Sequence, residues 1–344
     1  MMNKRFNAFG EELGELLEFQ NISINEYAER IGTSSKNLID IINGNVSLSF
    51  NMMCNISFIS DIPLNYIYSV EEGFKIDRSI DLYLKRKNIT IKAYLNKFNY
   101  KELKEKYNLN YRNERDSYII LEDIFKYLRI TNPELIYKKD NHIFYKSKND
   151  KPELLALWLE RCYRVIQNQE IKEYSKDNID KVVELIKKEA LDNKFDKDKL
   201  IKIFNDNGIF LAIEPDLTGA KIRGAFKVLC NKPAIYITEK HKRYADVYFA
   251  LLHELAHCKS DFNRAKNGSI VSYENSLDEE EYEIKADKMA LNWMVNDNEY
   301  DKIIKSKSFN NLNSFIVYRL AKDGFIKYNS KIYQENNKLI EEIL

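Results

Sequence analysis

The sequence predicts a mainly α-helical protein, in which an all-α head precedes an α+β domain with a small sheet. The first observation is that the 344 residues include only 10 Gly and 5 Pro, so turn-forming residues are scarce and long loops are not expected. The second is the abundance of Leu, Ile, Lys and Glu, a composition typical of helices. The third is a hydrophobic content of 44%, which supplies packed cores and excludes a disordered chain.

The charged residues divide the chain into three segments. Residues 1–75 carry 5 basic and 10 acidic side chains, residues 76–150 carry 17 and 11, and residues 151–344 carry 32 of each. Such differences indicate separate folding units, so we expect a head domain, a basic helical connecting region and a third domain with these bounds. The net charge of +1 excludes a globally basic nucleic-acid-binding protein but leaves room for a local site.

Short helices are expected throughout the head, from Phe9 to Tyr66. Ser23 forms a capping box with Glu26, and Gly32 ends the helix that they start. Ser34 caps the next helix, which Gly44 closes, so the pair forms a helix-turn-helix pattern. The remaining head helices are expected over Phe50–Ile59 and, as a short last helix, from Ile62-Pro63-Leu64.

Three short runs with β-type composition precede the chemically informative part of the chain. They are Ile209–Ile213, Ile222–Val228 and Ala234–Thr238. Pro233 lies at the start of the last run and favours an edge strand, because proline cannot donate a ladder hydrogen bond. An edge strand could hold an extended peptide by strand addition.

The run His253-Glu254-Leu255-Ala256-His257 carries a recognisable chemical motif. On a helix its two histidines lie one turn apart on one face, with about 5–6 Å between their Cβ atoms. Their imidazoles can therefore share one tetrahedral metal ion. Glu254 can act as the general base beside it. This is the H-E-x-x-H pattern of zinc peptidases, so we predict one Zn²⁺ per chain and endopeptidase activity. The sequence leaves open whether that activity is latent.

A third ligand is expected on the helix that contains Glu283. Ala286 and Ala290 share a face with Glu283 and permit close approach of another helix. Asp287 lies on that face too, where it can orient a histidine ligand from behind. We predict Glu283 as the third ligand and Asp287 as its supporting carboxylate, with Glu280, one turn earlier, as the alternative.

Hydrolysis by such a site needs two proton transfers and a donor for the developing oxyanion. Glu254 would take a proton from the attacking water and deliver it to the leaving amine. The donor stays open among Tyr248, Tyr282, His241 and Lys242.

The compartment is expected to be the cytoplasm. No run approaches the ~18 apolar residues that a membrane span needs. Glu11 and Glu12 stand where a signal peptide would require an apolar stretch. The four cysteines are widely spaced, with no C-x-x-C pair, which favours buried free thiols in a reducing environment.

The head resembles the phage-repressor type of helix-turn-helix, the XRE class, over Asn25–Ser34 and Ile41–Gly44. Ala28 stands at the family's small residue of the second helix, and Gly32 stands at its turn glycine. The resemblance implies that the residues facing the DNA major groove are Ser34, Ser35, Lys36 and Asn37.

DNA binding by this head has a competing interpretation. Phosphate contacts dominate DNA affinity, yet the head has twice as many acidic as basic residues and its recognition helix offers one cation, Lys36. The alternative is a protein-docking or dimerising module, which leaves a homodimer possible. The basic connecting region could supply the missing phosphate contacts.

The motif His253–His257, followed by Glu283–Asp287, resembles the ImmA/IrrE family of metallo-endopeptidases. One departure is Trp293–Asn296, where that family often has a Leu-Leu-x-Pro type of ending. Further matching stretches are Arg223-Gly224-Ala225, Lys232–Ile237, Phe315–Ile326, Phe98–Leu103 and Pro152–Leu159. The resemblance implies a zincin-like domain joined to an XRE head, in a branch that often acts as an antitoxin-like regulator.

Two functions follow from these patterns. The first is a regulator-protease that cleaves a repressor or antitoxin-like protein and is directed by its head to DNA or to a partner. The second is a non-proteolytic antitoxin or autorepressor that binds DNA and has a structural or vestigial zinc site. The intact Glu254 favours the first, because a structural zinc ion does not need a general base.

Overall fold

The computed structural model of the protein is mainly α-helical with one small mixed sheet of four strands, as predicted. The residues that it describes are 9–136, 151–191, 195–240, 242–273, 281–306 and 312–340. The chain divides into two compact units. The first runs to Asn96 and includes Asn110–Leu135, and the second comprises Lys97–Leu109 and the residues from Ile136 onward. No helix in the described ranges is long and apolar enough to cross a membrane.

The first unit is all α in its described part. Its helices are α1 Phe9–Phe19, α2 Ile24–Arg30, α3 Ser35–Ile42, α4 Phe50–Ser60, α5 Leu64–Lys87, α6 Ile91–Asn96 and α8 Ser117–Leu128. Ser23 Oγ accepts a hydrogen bond from the backbone of Glu26 at 3.2 Å, and Ser34 Oγ accepts one from Asn37 at 3.2 Å. Both caps therefore start the helices that the sequence predicts.

Three glycines allow the turns and the close packing of the two short helices. Gly32 and Gly44 follow α2 and α3 with φ angles of 74° and 69°, a left-handed conformation that glycine adopts without a steric penalty. A Cβ atom on Gly10 would lie 2.1 Å from the carbonyl oxygen of Ile41. Helices α1 and α3 can therefore pack this closely only because residue 10 has no side chain.

Helix α5 corrects the prediction of a short last helix in the head. It has 24 residues and passes through Gly73, although a glycine inside a helix costs about 1 kcal/mol relative to alanine. Packing offsets that cost, since Ile80 and Tyr83 are buried further along the helix and Glu71 accepts a hydrogen bond from Leu48 at 2.8 Å. The helix crosses residue 75 without a break. The functional division at residues 75 and 150 stays a prediction.

The second unit contains the sheet. Its described helices are α7 Tyr100–Tyr107, α9 Pro152–Ile166, α10 Asn178–Leu191, α11 Lys197–Asn205, α12 Tyr244–Ser260, α13 Phe262–Ala265, α14 Glu281–Met294, α15 Asp297–Ser306, α16 Ser314–Lys322 and α17 Lys331–Asn336. Its strands are β1 Phe210–Glu214, β2 Ile222–Leu229, β3 Lys232–Thr238 and β4 Ile270–Tyr273.

The strand order is β1-β3-β2-β4, so the prediction that β3 is an edge strand is wrong. Strand β3 pairs in parallel with β1 and antiparallel with β2. Pro233 is tolerated there because pairing with β1 begins only at Ala234, one residue later. A two-residue turn, Cys230-Asn231, joins β2 to β3 with both φ angles positive, as a type I′ turn requires.

Helix α12 is the central element of this unit, and it packs against β2, β3 and α14. Its residues are apolar nearly all round, and most are buried, as expected for a core helix. Its first turn is capped from the far end of the chain, since Asn337 Oδ1 accepts a hydrogen bond from Ala245 at 2.8 Å. Asn337 Nδ2 and the Tyr333 hydroxyl both donate to Asp246, which fixes this end of the helix.

Candidate metal centre

The two histidines of the H-E-x-x-H run lie on α12 and point to one place. The Nε2 atoms of His253 and His257 are 3.1 Å apart, and both side chains are fully buried. Two ring nitrogens at that distance cannot both carry a proton without repulsion. The arrangement therefore favours a cation shared between them.

Helix α14 brings the predicted third ligand to the same place. Glu283 Oε2 lies 3.1 Å from His253 Nε2, and Oε1 lies 3.2 Å from His257 Nε2. The buried small residues Ala286 and Ala290 allow α14 to pack closely on α12. These three side chains form a group that could hold a metal ion.

The spacing of the donor atoms suits a tetrahedral ion. An ion with ligand bonds of about 2.0–2.1 Å separates its ligand atoms by about 3.3–3.4 Å. The two Nε2 atoms are 3.1 Å apart, and each has a different Glu283 oxygen beside it, Oε2 at 3.1 Å from His253 and Oε1 at 3.2 Å from His257. Each contact is a few tenths of an ångström shorter than the tetrahedral value, and one of the two carboxylate oxygens would serve as the ligand.

A carboxylate holds each histidine from behind. Asp287 Oδ1 lies 2.7 Å from His253 Nδ1, and Asp261 Oδ2 lies 3.0 Å from His257 Nδ1. An ionised carboxylate only accepts, so each Nδ1 donates, and a neutral ring then turns the lone pair of its Nε2 toward the shared centre. The position of Asp287 agrees with its predicted role. Asp261 is a residue that sequence reasoning missed, although it follows His257 by one helical turn.

Proton affinities in the cluster follow from these contacts. Burial opposes ionisation of Glu283 and Asp287, but the histidines beside them hold the pKa of both carboxyls well below the usual range. Burial would lower the pKa of His257, whereas Asp261 and Glu283 raise it to about 9. Glu283 and Asp287 therefore stay ionised.

Charge is unbalanced around the histidines. Among the described residues, the carboxylates that surround them are Glu254, Asp261, Glu283 and Asp287. The cations in the cluster are Arg223, close to Asp287, and Lys322, whose Nζ lies 2.8 Å from Asp287 Oδ2. With both histidines neutral, as metal ligation requires, two negative charges remain, and a divalent cation would neutralise them.

Glu254 stands apart from the other carboxylates. It is fully buried, and neither of its oxygens has a hydrogen-bond partner among the described residues. Burial raises its pKa. A Cβ atom on Gly224 would lie 2.5 Å from Glu254 Oε1, so the strand leaves just enough space for this carboxylate. A buried carboxylate without a partner indicates that a bound species completes the site.

Arg223 is a second residue that sequence reasoning missed in this role. Its Nη2 lies 3.2 Å from His253 Nε2 and 3.4 Å from Asp287 Oδ1. Burial disfavours its charge, but Asp287 and Glu283 raise the pKa of the guanidinium. The resemblance in the sequence marked this strand without assigning the arginine to the site.

The four candidate oxyanion donors have different positions. Tyr282 lies close to the site, with its ring centroid 5.8 Å from that of His257. Tyr248 packs between Tyr244 and Phe315 instead. Lys242 lines a separate cavity together with Ile340. His241, and likewise the alternative ligand Glu280, lie outside the described residues.

The cysteines contribute no ligand to this group. Cys258 is buried with its Sγ 3.6 Å from the Tyr174 hydroxyl, and Cys162 is buried as well. The expectation of buried thiols fails at Cys230, which is exposed because it forms the turn after β2. Cys54 is half-buried.

The residues predicted to face DNA lie at the start of α3. Ser34 caps the helix, and Asn37 Nδ2 donates to Thr33 Oγ1 at 2.9 Å. Lys36 is exposed and Ser35 is half-buried. Two of the four side chains are thus engaged in local hydrogen bonds, and contact with DNA stays a prediction.

Comparison of the chain with models of protein families, with curated proteins and with solved structures finds no match.

Proposed function

We propose that this protein is a zinc-dependent endopeptidase joined to an XRE-type helix-turn-helix module. The observation that carries the proposal is the pairing of a three-donor group with Glu254, a buried carboxylate that has no hydrogen-bond partner among the described residues. A structural metal site has no use for such a carboxylate. A hydrolase needs a base in that position.

Zn²⁺ is the proposed ion. Two imidazole nitrogens and one carboxylate oxygen, from His253, His257 and Glu283, form a donor set that zinc hydrolases use, and three protein ligands leave one position open. When bound, the ion supplies a Lewis acid for the substrate carbonyl and makes a water molecule more acidic. Asp287 and Asp261 keep both imidazoles in the required tautomer.

Glu254 is the proposed general base and acid. Its carboxylate removes a proton from the attacking water and returns that proton to the nitrogen of the leaving amine. Because both oxygens are buried without partners, the carboxylate is not diverted by other hydrogen bonds. The backbone of Gly224 passes close to this carboxylate, which limits the positions that the carboxylate can take.

The regulatory part of the proposal comes from the head. Helices α2 and α3 are separated by the Gly32 turn and carry serine caps, which supports an XRE-type helix-turn-helix. Helix α12 packed on the mixed sheet supports a zincin-like domain, and the resemblance to the ImmA/IrrE family supports a repressor or antitoxin-like protein as substrate. The head would direct the protein to DNA or to that partner.

The experiment compares new protein N-termini in extracts of the host cell treated with zinc-loaded protein. Glu254→Gln removes the base, and Glu184→Gln, at an exposed position of α10, is the matched control. New N-termini are expected with the wild type and the control but not with Glu254→Gln. Equal cleavage by Glu254→Gln contradicts the proposal. If no variant cleaves but all bind zinc and operator DNA, the non-proteolytic alternative is correct.

A further inference from the structure

Strand β2 has an irregularity at Arg223. Ile222 pairs with Tyr273 of β4, whereas Gly224 pairs with the next residue along, Ser272. Arg223 is thus the extra residue of a β-bulge, a feature that redirects a side chain and is common beside active sites. Gly224 follows, and its missing side chain leaves space for Glu254.

The redirected guanidinium lies over the metal-binding histidine. Arg223 Nη2 is 3.2 Å from Nε2 and 3.3 Å from Nδ1 of His253. An atom so close to both ring nitrogens must lie over the ring face, because Cε1 blocks the position in the ring plane. On another side, the Arg223 Cζ atom is 5.2 Å from the ring centroid of Phe249. Two aromatic rings therefore fix the arginine.

An ion pair with Asp287 does not account for the position of Arg223. Asp287 is already bound by His253 at 2.7 Å and by Lys322 at 2.8 Å, whereas its contact with Arg223 is 3.4 Å. Arg223 Nε is buried and has no acceptor among the described residues. The side chain is 13% exposed, while His253 is 0% exposed, so the arginine reaches the accessible edge of the site.

We propose that Arg223 is the catalytic donor to the substrate carbonyl oxygen and stabilises the negative charge that forms there. This inference rests on the proposed peptidase function. As the water oxygen bonds to the carbonyl carbon, its proton passes to Glu254 and the π electron pair moves to the carbonyl oxygen. The C–N bond then breaks as Glu254 protonates the leaving nitrogen. Arg223 donates hydrogen bonds to that oxygen throughout and keeps its own protons.

The test uses inorganic phosphate as a probe for a tetrahedral oxyanion. Phosphate binding to the zinc-loaded full chain is measured by calorimetry for the wild type, Arg223→Met, Arg223→Lys and the control Lys227→Met, a charge loss on the same strand. Zinc affinity of each variant is measured by competition with a chelator. We expect Arg223→Met to weaken phosphate binding at least about tenfold and to leave zinc affinity within about threefold. Arg223→Lys should bind with intermediate affinity.

Each contrary outcome has a distinct meaning. A wild type that holds no zinc overturns the proposed function itself. A zinc-loaded Arg223→Met that binds phosphate like the wild type overturns the role of Arg223 alone. A large loss of zinc affinity in Arg223→Met would make it a positioning residue for His253 instead. Acetate, measured in the same way, serves as a probe for a terminal carboxylate. If Arg223→Met loses affinity for acetate but not for phosphate, the arginine binds a terminal carboxylate, and the oxyanion role is wrong.

On a cleaved substrate, loss of one oxyanion donor lowers kcat by about 10²–10³-fold with little change in KM. Arg223→Met should show this split. A KM raised by the same factor, with kcat unchanged, would contradict transition-state stabilisation.

Discussion

Substitution of Gly224 by alanine tests the close fit between strand β2 and the proposed base. The three heavy atoms nearest to the added Cβ all belong to Glu254, at 2.5, 3.0 and 3.0 Å. Overpacking of this kind costs about 1–3 kcal/mol of stability. Without the clash, alanine in a strand is favoured over glycine by about 0.5–1 kcal/mol. The effect of Gly224→Ala on the free energy of unfolding should therefore change sign when Glu254 is replaced by a shorter residue.

A double-mutant cycle isolates this interaction. We expect Gly224→Ala to destabilise the metal-free protein by about 1–3 kcal/mol, and to be neutral or stabilising when Glu254→Ala is present. Urea unfolding followed by tryptophan fluorescence is suitable, because both tryptophans, Trp158 and Trp293, belong to the second unit. The midpoint of that transition then reports on the unit that holds the site.

Equal destabilisation by Gly224→Ala in both backgrounds would show that the added methyl group clashes with a group other than Glu254. The same substitution also bears on catalysis. A base displaced by about 1 Å can cost about 10²-fold in rate, so zinc-loaded Gly224→Ala should retain its metal and lose cleavage. Loss of zinc instead of activity would show that Gly224 supports the ligands and not the base.

Four further predictions follow from the same contacts. Asp261→Asn should weaken zinc binding about 10–100-fold in a chelator competition, and unchanged affinity would remove Asp261 from the site. Glu254→Ala should raise the urea midpoint of the metal-free protein, because it removes a buried carboxylate without a partner; a lower midpoint would indicate an unseen partner. Asn337→Ala should lower the free energy of unfolding by about 1–3 kcal/mol and so lower the midpoint, with Asn336→Ala close to the wild type; equal effects would contradict the cap. Operator binding by the full chain should fall steeply with salt and weaken further in Lys36→Ala, and tight, salt-insensitive binding would show that the acidic head does not limit DNA affinity.

Local signals in the sequence were sufficient for the helix starts and for the three side chains that could hold a metal ion. The caps at Ser23 and Ser34 depend on residues three positions away, and the structure shows both. The pairing of His253 with His257 depends on one helical turn. The sequence predicts Glu283 because Ala286 and Ala290 share its helix face, and small side chains let two helices pack closely.

Features that depend on distant partners were not predicted. Strand β4 has only four residues, all buried and without alternation, so hydrophobic periodicity does not identify it. The place of β3 inside the sheet depends on β1, which is remote in sequence. The bulge that turns Arg223 into the site arises from pairing with β4, and no local pattern encodes it.

In the proposed site, His253, His257 and Glu283 hold one metal ion and Glu254 is not a ligand. Zinc content per chain is measured by elemental analysis after exposure to zinc and gel filtration. We expect about one zinc ion in the wild type and in Glu254→Gln, loss of the ion in His257→Ala and a weakened site in Glu283→Gln. A wild type without zinc, or a Glu254→Gln variant that loses zinc while His257→Ala keeps it, would show that this ligand set is wrong.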